Sequence, residues 1–317
     1  MPTGDIISAK DYNDIRTKII NILGTGSATS GYGQTILSSE VNVEAKVTKQ
    51  QWDLLRFDLY NILFHQTGTA PTIVQPAANS VITYGVSQPN NQYDILVNTA
   101  ITNRFNVGSG QFLETFSVAQ TSRTTEWNTS ISSTLTVEFP NANAARYFFN
   151  SGGQIKIRTS RSGGAATTQN SSWSSILSSA GTIAFGAQIP NTGFTPLDGT
   201  NFYRLTNAFQ RFYTTTGSSP YASNRYSLDV RCDVADNSNG TARFLYIRIV
   251  LDDPYVDPPL GKPPASTADV GPEDVVDGTL TTIVDEIKAT GILQPAPATG
   301  NFTIASPTYT ISEFSGS

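Results

Sequence analysis

The sequence predicts an α+β fold, mainly β. It divides into an N-terminal helical segment (1–70), an antiparallel β-sandwich-like domain (71–251), a Pro-rich acidic linker (252–277) and a short β-containing C-terminal extension (278–317). Three observations carry this. Apolar residues recur at spacings of three and four up to about residue 70, and at a spacing of two from about Thr72 to Leu251. Pro254, Pro258, Pro259, Pro263, Pro264 and Pro272 then interrupt any regular element. Charged residues are only 14% of the 317, against a usual share of about 25%. Ser, Thr, Asn, Gln and Gly stand in their place, a polar but uncharged composition suited to β-rich exterior proteins.

The first helix is expected from Ala9 to Leu23, capped by Ser8 and followed by Gly24. Tyr12, Ile15, Ile19, Ile20 and Leu23 form its apolar stripe. A Gly/Ser-rich loop over 24–33 reads as a flexible connection. Thr48-Lys-Gln-Gln51 has the form of a capping box and opens a second helix, Lys49 to His65, with Gly68 beyond it. Trp52, Leu54, Leu55, Phe57, Leu59, Tyr60, Ile62, Leu63 and Phe64 make that helix apolar nearly all round, so it must be buried on several sides. Two short helices cannot cover it alone. The cover is either the β domain or another chain, and the second is favoured, with Val41, Trp52, Leu55, Leu59 and Ile62 expected at an oligomer interface.

Strands follow from alternation. Leu135, Val137 and Phe139 mark one, Ile155 and Ile157 another. The clearest sets Tyr226, Leu228, Val230, Cys232 and Val234 on one face and Ser227, Asp229, Arg231 and Asp233 on the other. Asp236–Gly240 reads as a turn, and the run 242–251 returns, with Phe244 and Tyr246 or their neighbours facing inward. Asn141–Asn150 reads as a short helix closed by Gly152 and Gly153. The segment 278–317 is too short to hold a core and is expected to pair with the β domain or with a neighbouring subunit.

Composition and motifs exclude several functions. Net charge is −5, the acid excess lies after residue 252, and no basic face offers a nucleic-acid footprint. No apolar run is long enough to span a membrane, and the N-terminus lacks the pattern of an export signal. One cysteine, Cys232, permits no intrachain disulfide and reads as an inward-facing hydrophobe. One histidine, His65, reads as a helix C-terminal residue meeting the last carbonyls. One His and one Cys do not make a zinc site, and no phosphate loop is present, so no catalytic, cofactor or metal residue is expected. Asp252, Asp253 and Asp257 read as a solvated strand exit rather than a glycosidase pair. Asp233 and Asp236 do not match a calcium loop. Trp52, Trp127, Trp173 and the 13 tyrosines read as packing first and sugar platforms second.

Two stretches carry a resemblance. Gly4–Asn13 with Gly31-Tyr-Gly-Gln34, Trp52 and His65-Gln-Thr-Gly68 forms the first; Ala145–Ile155 followed by Trp173 forms the second. Together they resemble virion structural proteins of T-even-like marine cyanophages (myoviruses), over roughly residues 1–185. The resemblance implies a non-enzymatic structural component of a bacteriophage virion: tail, neck, baseplate or fibre-type appendage. It implies a chain made in the host cytoplasm that assembles as a trimer or hexamer and docks to other virion proteins. The alternative expectation is a capsid-decorating or host-glycan-binding phage protein.

Overall fold

The computed structural model describes residues 9–73, 75, 93–188, 200–255, 275–293 and 300–316. The fold is α+β, mainly β, and the described residues form five helices and nine strands in two antiparallel sheets. A further two-stranded pair is formed by residues 292–293 and 300–301. Most of the Pro-rich linker, Asp257 and the proposed cap Ser8 lie outside the described residues.

The chain forms two compact units, and their boundaries correct the linear division read from the sequence. Unit 1 comprises 1–114, 141–153 and 287–306; unit 2 comprises 115–140, 154–286 and 307–317. Periodicity reports which elements form, but not which core each one joins.

Unit 1 is built on α1 (Ala9–Leu23), α2 (Lys49–Thr67), α3 (Tyr93–Thr102) and α4 (Ala142–Asn150). The capping box of α2 forms as expected. Thr48 Oγ1 accepts from Gln51 N at 3.3 Å, and Gln51 Oε1 accepts from Thr48 N at 2.8 Å. Gly68, at φ +69°, ends the helix with its N–H on the carbonyl of Phe64. Tyr12, Ile15 and Ile19 of α1 meet Trp52, Leu55 and Leu59 of α2 and Val97 and Ala100 of α3 in one core. Helix α3 falls where the sequence reading placed strands. Tyr93, Val97 and Ala100, the residues it buries, are spaced four and three apart.

The 24–33 loop is pinned rather than flexible. Arg146 on α4 donates to the carbonyls of Ser30 (2.6 Å) and Thr25 (2.8 Å), and Asn150 donates to that of Gly31. A Cβ at Gly33, whose φ is +69°, would come within 2.3 Å of the Tyr147 ring, so only glycine fits there.

Unit 2 holds most of the two sheets. Residues in order are β1 (Phe112–Arg123), β2 (Ser130–Glu138), β3 (Gln154–Ser162), α5 (Thr168–Ala180), β4 (Thr182–Phe185), β5 (Gln210–Thr216), β6 (Arg225–Cys232), β7 (Phe244–Asp252), β8 (Thr279–Ala289), β9 (Ile292–Leu293), β10 (Gly300–Asn301) and β11 (Thr308–Ile311). Of these, β9, β10, the first three residues of β1 and the last three of β8 belong to unit 1. One sheet runs β1-β8-β3-β4 and the other β11-β2-β7-β6-β5. The sheets meet through Thr159 on β3, within 2.9 Å of Tyr226 OH on β6, and through the edge-to-face rings of Phe185 and Phe212.

Register settles the phase of β7, which the sequence leaves open. Leu245, Ile247, Ile249 and Leu251 are fully buried, so the neighbours of Phe244 and Tyr246 face inward and these two rings face outward. The C-terminal segment is no appendage. Strand β8 lies between β1 and β3, and β11 pairs with β2 from Thr308↔Glu138 to Ile311↔Leu135. Helix α5, with Trp173, Ile176, Leu177 and Ala180 buried, packs on β3, β5 and β6.

Candidate functional site

The residues expected at an oligomer interface are placed elsewhere. Val41, Trp52, Leu55, Leu59 and Ile62 are at most 3% exposed and belong to the core of unit 1. The reason is local cover that the sequence reading did not count. Helix α3 packs on α1 and α2, and the Asn13 side chain holds Val41 by both its backbone N–H (3.0 Å) and its carbonyl (2.7 Å). Asp58 on α2 accepts from the backbone N–H groups of Leu37 and Ser38, drawing the 36–41 loop over the helix. These five residues are therefore not a surface for another chain.

His65 is also interior. Its ring stacks on Phe302 at 4.3 Å and meets Tyr32 edge-on, and Nε2 lies 3.0 Å from the Ser151 carbonyl instead of the carbonyls of its own helix. Burial lowers its pKa to about 4, the Ser151 bond opposing only in part. Cys232 is buried as expected, with Sγ 3.2 Å from the carbonyl of Val234, and burial raises its pKa.

Asp253 departs from a solvated strand exit. It is 3% exposed, accepts from Trp173 Nε1 at 2.9 Å and from the Gln169 amide, and burial raises its pKa. Asp252 does face outward and pairs with Arg225 at 2.6 Å. The two do not form a carboxylate pair across a cleft. Asp253 anchors α5 to the end of β7, a structural task.

Two surface features stand out once these residues are placed. The first is β1. It is an edge strand of twelve residues, bonded on one side to β8, with Phe112, Leu113 and Phe116 exposed at 37%, 52% and 64%. Ser117, at φ +55°, interrupts its extended backbone, and its N–H donates to Asp285 at 2.8 Å. The other edges are blunted. Strands β4 and β11 have four residues each, and β5 is irregular between Arg211 and Tyr213.

The second is the outward face of the five-stranded sheet. Asp229 on β6 is 3% exposed and accepts from Arg211 on β5 (2.9 Å) and Arg248 on β7 (2.8 Å). Burial alone would raise its pKa, but the two guanidinium groups hold it below the usual value. In the next row, Arg231 lies over the Tyr246 ring at 4.1 Å and near Phe209 at 5.3 Å, and Arg248 also covers Phe209 at 4.5 Å. Arg231 and Asp229 are legible in the β6 alternation as lying opposite the inward set. That residues from β5 and β7 close on them is not, because register between distant strands is not written in any one of them.

Compared with protein-family models, with curated proteins and with solved structures, the chain matches none. Among the described residues, no group of three or more His, Cys, Asp or Glu is placed to hold a metal ion, and no helix is long and apolar enough to cross a membrane.

Proposed function

We propose that the chain is a non-enzymatic structural component of a bacteriophage virion, of the tail, neck, baseplate or a fibre-type appendage, acting through self-assembly and docking. The observation that carries the assembly part is the apolar edge of β1. An edge strand presents unpaired backbone N–H and C=O groups, which is the template for strand addition by another chain. In β1 that template carries Phe112, Leu113 and Phe116 in solvent, and the strand includes no lysine. The resemblance described above supports the virion as the setting. The role moves from the helices, whose apolar residues are spent within the chain, to this strand. A second copy of the chain is the occupant proposed, in a trimer or hexamer.

Light scattering of the purified protein tests this, wild type beside Phe116→Lys. Phe116 supports no core, so the substitution should leave the melting temperature within a degree or two. A discrete oligomer that falls to a smaller mass in the variant supports the reading. A wild-type monomer at every concentration, or an oligomer indifferent to Phe116→Lys, sinks assembly through β1.

A further inference from the structure

We propose that the outward face of the five-stranded sheet binds an anionic glycan, a polysaccharide bearing carboxylate or sulfate groups, with the Arg231 guanidinium as its anion contact. This stands apart from the assembly reading, which rests on β1.

One guanidinium on this face is unmatched. Arg211 and Arg248 share Asp229, whereas Arg231 meets no carboxylate among the described residues. Three guanidinium groups face the carboxylates of Asp229 and, at the rim, Asp233, which leaves a local excess of one positive charge. The surrounding ion pairs are closed: Arg225 with Asp252 at 2.6 Å, and Arg243 with Glu138 at 2.5 Å. Asp233, at the rim, already accepts from the backbone N–H groups of Arg243 and Phe244. The excess is thus confined to one spot on a chain whose net charge is −5.

Arg231 is also preorganised. A free arginine side chain loses rotamer entropy on being fixed. Here Tyr246 and Phe209 already restrain it before any ligand arrives. A guanidinium lying over a ring still offers its planar N–H fork to a carboxylate or sulfate.

The neighbourhood favours sugar over nucleic acid. Strands β2 and β11 continue the rows with Thr134, Thr136, Thr310 and Ser132, hydroxyls that match hydroxyls. Phe244 and Tyr246 hold their rings within 11° of parallel at 6.4 Å, and partly exposed rings pack against the C–H faces of sugars. A nucleic acid brings one phosphate per nucleotide and calls for a row of cations along its track. This face supplies one unpaired guanidinium between neutral hydroxyls, which suits a polymer whose charges are spaced by one or more sugar rings.

Affinity electrophoresis of the full chain tests the proposal, with polygalacturonate, dextran sulfate, neutral dextran and oligothymidylate as probes. Retardation by an acidic polysaccharide is expected, with none by dextran. Arg231→Gln should weaken it at least tenfold at unchanged melting temperature and unchanged light-scattering mass, and Arg231→Lys should recover part of the loss. Response to polygalacturonate alone assigns a carboxylate ligand; response to dextran sulfate alone assigns a sulfate ester. Failure of both acidic polymers to bind, binding indifferent to Arg231→Gln, or tighter binding to oligothymidylate would overturn the proposal. Phe116→Lys should keep the retardation, so loss of assembly and loss of glycan binding are read separately.

Discussion

Nε2 of His65 lies 3.0 Å from the carbonyl oxygen of Ser151, and because a carbonyl only accepts, the proton of the neutral ring sits on Nε2. Nδ1 is then a bare nitrogen, buried and without a partner. Protonating it would place a charge among Tyr32 and Phe302.

This relationship fixes a pH dependence. The folded pKa of about 4 lies below the ordinary value of 6.5, so the unfolded chain binds more protons between those values. Stability from this residue is complete above pH 6.5 and is lost as pH falls toward 4, by about 3 kcal/mol in all. Urea titrations from pH 7 to 4 should show it. His65→Gln, which can keep a donor on Ser151, should flatten the slope; an unchanged slope would remove His65 as its source.

Trp52→Asp should unfold unit 1 rather than split an assembly. Trp52 is 2% exposed and meets Tyr12 and Tyr93 at 5.3 and 5.0 Å. A carboxylate there combines a large cavity with a buried charge, at a cost above about 4 kcal/mol. Circular dichroism melting should show the helical transition lost or displaced by well over ten degrees. A folded, smaller species would restore Trp52 to an interface.

Asp229→Asn should destabilise unit 2 by about 1–3 kcal/mol. The buried carboxylate is lost while Arg211 and Arg248, both partly exposed, regain some hydration. Since the pKa of Asp229 is lowered, its contribution is present above the ordinary value of 3.8 and lost as pH falls through the folded value. Wild-type and variant stabilities should therefore converge on acidification, which denaturant midpoints at pH 7 and 3 would measure.

The Cys232 thiol should resist labelling in the native state. It is fully buried and its pKa is raised by burial. Reaction with an aromatic disulfide reagent should be slower than in urea on the order of a thousandfold, since access requires opening of β6. Prompt native labelling would contradict its placement.

Local signals were legible and long-range ones were not. The Thr48–Gln51 box, the α1 stripe and the β6 alternation each lie within one short window. The box forms as the residues imply; the stripe forms through Tyr12, Ile15, Ile19 and Leu23 with Ile22 buried in place of Ile20, and the alternation through Tyr226, Leu228, Val230 and Cys232, the strand ending before Val234. Helix α5 escaped because seven of its thirteen residues are serine or threonine, and Trp173, Ile176, Leu177 and Ala180 hold it by burial instead of propensity. The solvated reading of Asp253 failed because Trp173 and Gln169 come from that unrecognised helix. On the binding face, Arg231 and Tyr246 read as ordinary outward residues of separate strands; their stacking exists only through the β6–β7 register.

The seat of β8 between β1 and β3 has a consequence for biosynthesis. Both flanking strands leave the ribosome long before residue 279 does. At roughly 5–20 residues per second, the slot between them stays open on the order of ten seconds. Throughout that interval the nascent chain displays two facing unpaired edges, to which a neighbouring nascent copy can lend its own β8. Yield should therefore depend on spacing between ribosomes and on chaperone supply more than on the stability of the finished molecule, and slower initiation of translation is the lever that protects it.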